Sequence, residues 1–276
     1  MTSKIILLSG GFSDEKEISQ KTSSAIASAL IDNGYKVEQV DPSDFLTYGE
    51  LISYIKSKKP LIVFNGLHGA EGEDGRIQAM LSLEKLNFTG SKHTASAIAM
   101  NKYISTLIAS SLNIPCPRQV IINHPEELTS QKIEFLQYPF IVKPNSNGSS
   151  VGVHIIKEES QIHDAVNNAF LFDTQVLCQQ FIPGRELTVS ILGQEALPVV
   201  EIHPLDGFYD YQNKYTKGKT EYLCPSNFSD EEQKIVQEYA KEVFFACNCS
   251  VYGRVDFRFD GKDFFFLEIN TLPGMT

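Results

Sequence analysis

Asp256, Glu268 and Asn270 are, by type and spacing, the side chains best suited to hold a hard cation. They lie in Val251-Tyr-Gly-Arg-Val-Asp-Phe-Arg-Phe259 and Asp263-Phe-Phe-Phe-Leu-Glu-Ile-Asn270, two apolar-rich runs joined through Asp260-Gly261, which predicts a β-hairpin. Strand side chains repeat every second residue, so Arg254, Asp256 and Arg258 share one face and Val255, Phe257 and Phe259 the other. Glu268 and Asn270 align on the return strand. Carboxylates crowded on a sheet repel one another, and a divalent cation would relieve that. Magnesium is commonly held by one or two carboxylates together with substrate phosphates, which fits this set better than zinc does. A solvated polar face neutralised by Arg254 and Arg258 would show the same pattern, so the hairpin alone leaves both readings open.

A second stretch, Tyr138-Pro-Phe-Ile-Val-Lys-Pro-Asn-Ser-Asn-Gly-Ser-Ser-Val-Gly152, predicts a strand that delivers Lys143 to a loop of small residues. The backbone N–H groups of such a loop can wrap phosphate oxygens. A Gly-Ser run is also an ordinary turn, and it is the lysine at the strand end that favours phosphate. The loop is not G-x-x-x-x-G-K-[ST], and Ser9-Gly10-Gly11 does not complete G-x-G-x-x-G, which weakens the P-loop and dinucleotide readings.

The elements that must position these residues follow from hydrophobic periodicity. Over the first ninety residues, short apolar runs alternate with helical patterns, as in βαβ units around a parallel sheet of an α/β protein. Ile5 to Leu8 is the first strand. Gly10-Gly11 then turns the chain into a helix whose Ile18, Thr22, Ala25, Ile26, Ala29 and Leu30 fall on one face, stopped at Gly34. Strands follow over 35–40 and 61–64, the latter ending in the glycine loop Asn65-Gly66-Leu67-His68-Gly69. Both glycine loops therefore lie at carboxyl ends of strands, where open α/β sheets bind ligands. Strands near 119–122 and 138–143 and a helix over 158–170 suggest a second domain. From Val176 strands dominate again, apart from a long polar segment, 206–225, and a helix begun by Ser229 with Glu232 three residues on.

With 276 residues, 42% hydrophobic and 21% charged, the chain can bury several cores and is expected to be a packed enzyme-like body. A formal charge of -10 without a concentrated basic run argues against electrostatic attachment to nucleic acid or anionic lipid. No run is long and apolar enough to predict a signal peptide or membrane span. Five cysteines without C-x-x-C spacing predict reduced thiols and a cytoplasmic location, and Cys247 and Cys249 are too close together for ordinary zinc chelation.

Taken in order, the motifs resemble those of ATP-grasp enzymes, and within them the D-alanine:D-alanine ligase family. The resemblance rests on Gly10-Gly11 with Ser13, Glu15, Glu17 and Ser19, on Leu67-His68-Gly69 with Gly72-Glu73-Asp74-Gly75, and on Lys143-Pro144 with Gly148 to Gly152. It continues through Phe208-Tyr209-Asp210-Tyr211, Lys214-Tyr215 and Gly253-Arg254-x-Asp256 to Glu268-x-Asn270-Thr271-x-Pro273-Gly274-Met275-Thr276. Each motif is weak alone; their order and spacing over the whole chain are specific.

The resemblance implies an ATP-grasp fold of three domains: an N-terminal parallel-sheet domain over 1–92 that binds substrate, a central subdomain over 93–182, and a C-terminal subdomain over 183–276 with the metal site. It implies ATP-dependent joining of two D-alanine molecules through an acyl phosphate, for peptidoglycan synthesis, with two Mg2+ or Mn2+ ions on Asp256, Glu268 and Asn270. Lys102, Lys143 and Lys214 would meet the ATP phosphates, with Ser150 in the loop that closes over them. Gln179, Gln180 and Ile182 would hold adenine and Glu186 the ribose; the family often has an acidic residue at 179 and a basic one at 180. Glu15 would receive the ammonium of the first D-alanine, and Ser149 and Tyr215 would link to it. His68 would lie near the substrate carboxylates. Arg254 and the Gly274 N–H would stabilise the tetrahedral oxyanion. A homodimer is a further expectation. So is an incomplete site for the second D-alanine, because the sequence stops at Met275-Thr276 where family members continue.

Overall fold

In the computed structural model, which describes residues 4–148, 151–205 and 218–275, strand β1 (Lys4–Leu8) has helices against both faces, and its unbroken apolar run follows from that. It lies between β2 (Lys36–Val40) and β3 (Ile62–Asn65), parallel to both, as the βαβ patterning predicts. Ile6 and Leu8 pack with Leu51 and Ile55 of α2 (Tyr48–Lys58) and Ile77 and Leu81 of α3 (Arg76–Leu83). Leu7 turns the other way, onto Ile26 and Ala27 of α1 (Lys16–Asp32).

Helix α1 departs from the expected face. Its buried residues are Ile18, Ser19, Thr22, Ser23, Ile26 and Ala27, whereas Ala25 and Ala29 are exposed. The helix is turned toward its serines because the neighbouring backbone comes too close for anything larger. A Cβ on Gly66 would stand 2.6 Å from Ser23 Oγ and 2.8 Å from the Leu8 carbonyl oxygen.

The chain divides into two compact units. One comprises Met1–Ala97, Asn248–Gly253 and Asn270–Thr276; the other comprises Ile98–Cys247 and Arg254–Ile269. The chain passes through α4 (His93–Met100) into the second unit, which opens with α5 (Lys102–Ser111). There β4 (Gln119–Ile122), β7 (Val176–Gln180), β5 (Phe140–Pro144) and β6 (His154–Ile156) form an antiparallel sheet in the order β4-β7-β5-β6. Between β4 and β5 lies the single-turn α6 (Ser130–Ile133). Phe140, Val142, Val176 and Cys178 pack against Ala165, Val166 and Ala169 of α7 (Ile162–Ala169). The alternate residues, Ile141 and Lys143, therefore face the opposite side, across from Gln179 and Leu177.

A second sheet runs in the order β11 (Thr220–Leu223), β10 (Val200–Pro204), β8 (Arg185–Leu192), β12 (Tyr252–Phe259) and β13 (Phe264–Asn270), with the short β9 (Glu195–Ala196) against β8. Helix α8 (Asp230–Ala246) starts with the expected capping box, in which Ser229 and Glu232 bond each other's backbone N–H. Its buried Val236, Ala240, Val243 and Phe244 repeat at helical spacing. Among the described residues no cysteine is in a disulfide, and burial pushes the thiol pKa of Cys116, Cys178 and Cys247 up to about 12. Among the described residues, no helix is long and apolar enough to cross a membrane.

Candidate functional site

The hairpin strands carry the polar face that alternation predicts. Val255 and Phe257 are wholly buried and Phe259 nearly so, while Arg254 and Arg258 are half-buried on the other side with Asp256. Arg254 donates from Nε to Asp256 Oδ1 at 2.9 Å and from a terminal nitrogen to Oδ2 at 3.0 Å, a two-point clamp between residues two apart on one strand. Thr188 of β8 adds its hydroxyl to Asp256 Oδ1 at 2.6 Å. Glu186, two residues earlier on β8, pairs with Arg258 at 3.3 Å. Period two on two neighbouring strands thus builds a row of alternating charge.

The return strand does not keep strict alternation. Ring contacts of Phe259 with Phe264 and Phe257 with Phe266 fix the hairpin register. Unbroken period two would then carry Glu268 to the phenylalanine side. Instead the buried positions run Phe264, Phe266, Ile269, a shift of one that leaves Leu267 and Glu268 consecutively half-buried. Both border one cavity within the second unit. Its other walls include Ile141 and Lys143 from β5, Gln179 to Ile182 at the end of β7, Glu186, Arg258 and Lys102.

Lys102 reaches this cavity from the first turn of α5. Its Nζ donates to the Asn147 carbonyl oxygen at 2.7 Å and lies 3.1 Å from Glu268 Oε2. The helix start is fixed from two sides. Asn101 Oδ1 caps the Ile104 N–H at 2.9 Å, and the fully buried Asn145 accepts from Tyr103 N–H through its side chain at 2.9 Å and from Lys102 N–H through its carbonyl at 3.1 Å. One asparagine thereby locks the loop after Lys143 to the helix that carries Lys102. Both lysines are largely buried, an expensive arrangement for cations unless anionic groups face them.

At the end of β7, Gln179 donates from Nε2 to Gln119 Oε1 at 2.9 Å, and Gln180 Oε1 accepts from Arg118 N–H at 3.2 Å. Ile182 is buried. These glutamines stand where the resemblance often has an acid and a base, and each is engaged by β4 or the residue before it. Asn145, Asn147, Thr188 and Gln119 were not singled out from sequence. Thr188 had a legible signal, two residues from Glu186 on one strand face, whereas the others act through loop geometry.

In the first unit the two glycine loops are brought together. Gly10 N–H donates to Ser19 Oγ at 2.8 Å, and that hydroxyl donates to the Gly66 carbonyl at 2.7 Å. Ser13 Oγ donates to the His68 carbonyl at 2.6 Å. Glu15 is buried so tightly that a Cβ on Gly69 would come within 2.8 Å of its Oε2. His68 is also buried, with Nδ1 3.2 Å from Glu73 Oε1 and Nε2 3.0 Å from Thr22 Oγ1, so both ring nitrogens are engaged and the ring orientation is set. Gly10 and Gly11 are required as glycines, having φ of +85 and +86. A Cβ on Gly10 would stand 2.2 Å from Asp41 Oδ2.

Asn270 ends β13, half-buried, and Gly274 is exposed with open space beside its α-carbon. Ser149, Ser150, Lys214 and Tyr215 lie outside the described residues. No three His, Cys, Asp or Glu side chains cluster as a metal cage among the described residues. Asp256 and Glu268 of the second unit instead offer hard carboxylate oxygens of the kind that magnesium shares with phosphate and water, so their donor chemistry fits that ion.

Comparison with known proteins shows the family of the chain. The family profile described as D-ala D-ala ligase C-terminus matches residues 111–276. A D-alanine–D-alanine ligase from Syntrophotalea carbinolica is 37% identical over 273 residues, covering 99% of this chain and 87% of that protein. The crystal structure of the D-alanine–D-alanine ligase from Bacillus anthracis superposes with a TM-score of 0.88 at 32% identity, over 100% of this chain and 88% of that one. Its complex with ATP gives 0.86 at 29% identity with the same coverage. The VanG D-Ala:D-Ser ligase from Enterococcus faecalis gives 0.84 at 28% identity, over 100% of this chain and 92% of that one. This chain belongs to the D-alanine–D-alanine ligase family.

Proposed function

We propose that the protein joins two D-alanine molecules with cleavage of ATP to ADP and phosphate, as D-alanine–D-alanine ligases do. The observation that carries this reading is the cavity of the second unit, which gathers Lys102, Lys143, Glu186, Glu268 and the Gln179 to Ile182 segment around one space. Two buried lysines in its lining match a polyphosphate, and apolar walls from Ile141, Phe181, Ile182 and Leu267 match a planar base. Gln179, Gln180 and Ile182 hold adenine, Glu186 the ribose, and Lys102, Lys143, Ser150 and Lys214 the phosphates.

A free carboxylate is a poor electrophile, and phosphorylation supplies the leaving group that the second amine displaces. The protein's part is to position the partners and stabilise charge. Glu15 takes the ammonium of the first D-alanine, with His68 held beside it by Glu73 and Thr22. Ser149 and Tyr215 link to Glu15. Arg254 and the Gly274 N–H stabilise the tetrahedral oxyanion. Asp256, Glu268 and Asn270 would hold magnesium or manganese, which when bound would neutralise charge on the phosphates. The domain division at 92 and 182 and the homodimer are part of the same proposal.

The test is phosphate release from ATP and magnesium with and without D-alanine, with direct detection of the dipeptide. D-alanine-dependent release with dipeptide formation is expected; nucleotide binding without it would overturn the proposal. The likeness to a D-Ala:D-Ser ligase makes D-serine the informative competitor as second substrate. Glu15→Gln is expected to raise the KM for D-alanine at least about tenfold, the scale of one lost charged hydrogen bond, while the KM for ATP changes little. Equal effects on both substrates would remove Glu15 from its assigned role.

A further inference from the structure

Arg258 is the one charged residue of the cavity wall to which neither the metal, the phosphates nor the ribose gives a task. It is half-buried, and burial depresses its pKa, with Glu186 opposing the shift. Its guanidinium reaches Glu186 Oε2 at 3.3 Å from one terminal nitrogen and donates to the Gly184 carbonyl at 2.8 Å from the other. The Phe181 ring lies 5.6 Å from its central carbon. Its Nε is buried without a hydrogen-bond partner among the described residues. A packing role would be met more cheaply by methionine or leucine, because a buried arginine with an unpaired donor loses hydration that one ion pair does not replace.

The three groups it touches belong to one segment, from the end of β7 to the start of β8. Gly184 is pressed against β12 so closely that a Cβ there would stand 2.2 Å from the Phe259 carbonyl oxygen. Its φ of +109 is one that other residues rarely adopt. Arg258 thus ties this segment to β12 at Gly184 and, by the same planar fork, fixes the Glu186 carboxylate. A carboxylate held by a rigid fork presents its remaining lone pairs in a set direction, which a flexible lysine would not achieve.

We infer that Arg258 is a positioning residue for ribose recognition: it orients Glu186 so that the carboxylate reads the sugar hydroxyls of the nucleotide. This rests on the proposed ATP site. A carboxylate that accepts hydrogen bonds from both ribose hydroxyls discriminates against a 2′-deoxy nucleotide only if its orientation is fixed. Free rotation would let it turn to the remaining 3′-hydroxyl.

The experiment compares calorimetric affinities for ATP and 2′-deoxy-ATP, with magnesium, in the wild type, Arg258→Met, Arg258→Gln, Glu186→Gln and the double variant Arg258→Met/Glu186→Gln. The wild type is expected to prefer ATP by about tenfold, the scale of one hydrogen bond to a charged group. Each single variant is expected to lose most of that preference, and the double variant to be no worse than Glu186→Gln. That non-additivity is the mark of two residues acting as one unit. Full preference retained in a folded Arg258 variant, or no preference in the wild type, overturns the inference even if ligase turnover is normal. Failure of the wild type to bind either nucleotide overturns the proposed ATP site itself. A purely structural Arg258 would lower the melting temperature and leave the ATP to 2′-deoxy-ATP ratio untouched.

Discussion

Asp256 is held at three points, by two nitrogens of Arg254 and by the Thr188 hydroxyl, so its carboxylate has one orientation. Replacing it with asparagine keeps the size and the acceptor for Thr188 but removes the charge that Arg254 clamps and that the proposed magnesium ion would use. Asp256→Asn is therefore expected to cut kcat by about a hundredfold or more, the scale of losing one preorganised electrostatic partner in a transition state. The magnesium concentration for half-maximal activity should rise with it. A magnesium titration at saturating ATP and D-alanine checks this, and an unchanged titration midpoint would remove Asp256 from the metal set. Alternation along one strand made Asp256 legible from sequence. Glu268 was named from the same reasoning, but its arrival at the cavity depends on the one-residue shift between Phe266 and Ile269, which no pattern of residue types marks. Ser23 was read past for a related reason, and Ser19 was named only through the family motif. Hydrophobic periodicity scores serine as surface, while here two hydroxyls serve backbone groups at a helix-to-loop contact too tight for methyl groups.

Elements matter to this site chiefly where they end. The parallel sheet, the capping box at Ser229 and the hairpin were all legible, because each follows from periodicity or a local hydrogen-bond pattern. The segment between β7 and β8 was recognisable only by resemblance, since its geometry comes from Gly184 lying against β12. Gly184→Ala must place a methyl group 2.2 Å from a backbone oxygen at φ +109, with no flexible side chain to yield. A loss of about 2 kcal/mol or more is expected, from steric overlap added to backbone strain. The same change should weaken ATP binding, because Phe181, Ile182 and Glu186 flank the displaced residue. Ser229→Ala is the matched control. It should cost about 1 kcal/mol as a lost helix cap and leave ATP affinity alone. Thermal melts and nucleotide titrations on the two variants separate these outcomes; equal loss of affinity in both would mean that general destabilisation explains the effect.

At the scale of the whole molecule, the residues assigned to the nucleotide and those assigned to the first D-alanine fall into different compact units. Lys102, Lys143, Gln179, Glu186 and Glu268 lie within 98–247 and 254–269, whereas Glu15 and His68 lie within 1–97. Each ligand should therefore leave a separable protection pattern. A ligand present at about a hundred times its Kd stabilises the state that binds it by about 2.7 kcal/mol. Where exchange proceeds through opening of the binding unit, that slows amide exchange by about a hundredfold. Hydrogen exchange with magnesium and a non-hydrolysable ATP analogue is expected to slow β5, β7 and the 181–184 segment, with little change in 10–15 and 66–75. D-alanine alone should do the reverse, slowing the glycine loops that Ser13 and Ser19 hold together. If nucleotide instead protected both sets equally, the division of ligands between the units would be wrong, and the Glu15 and His68 cluster would have to be reassigned to the nucleotide.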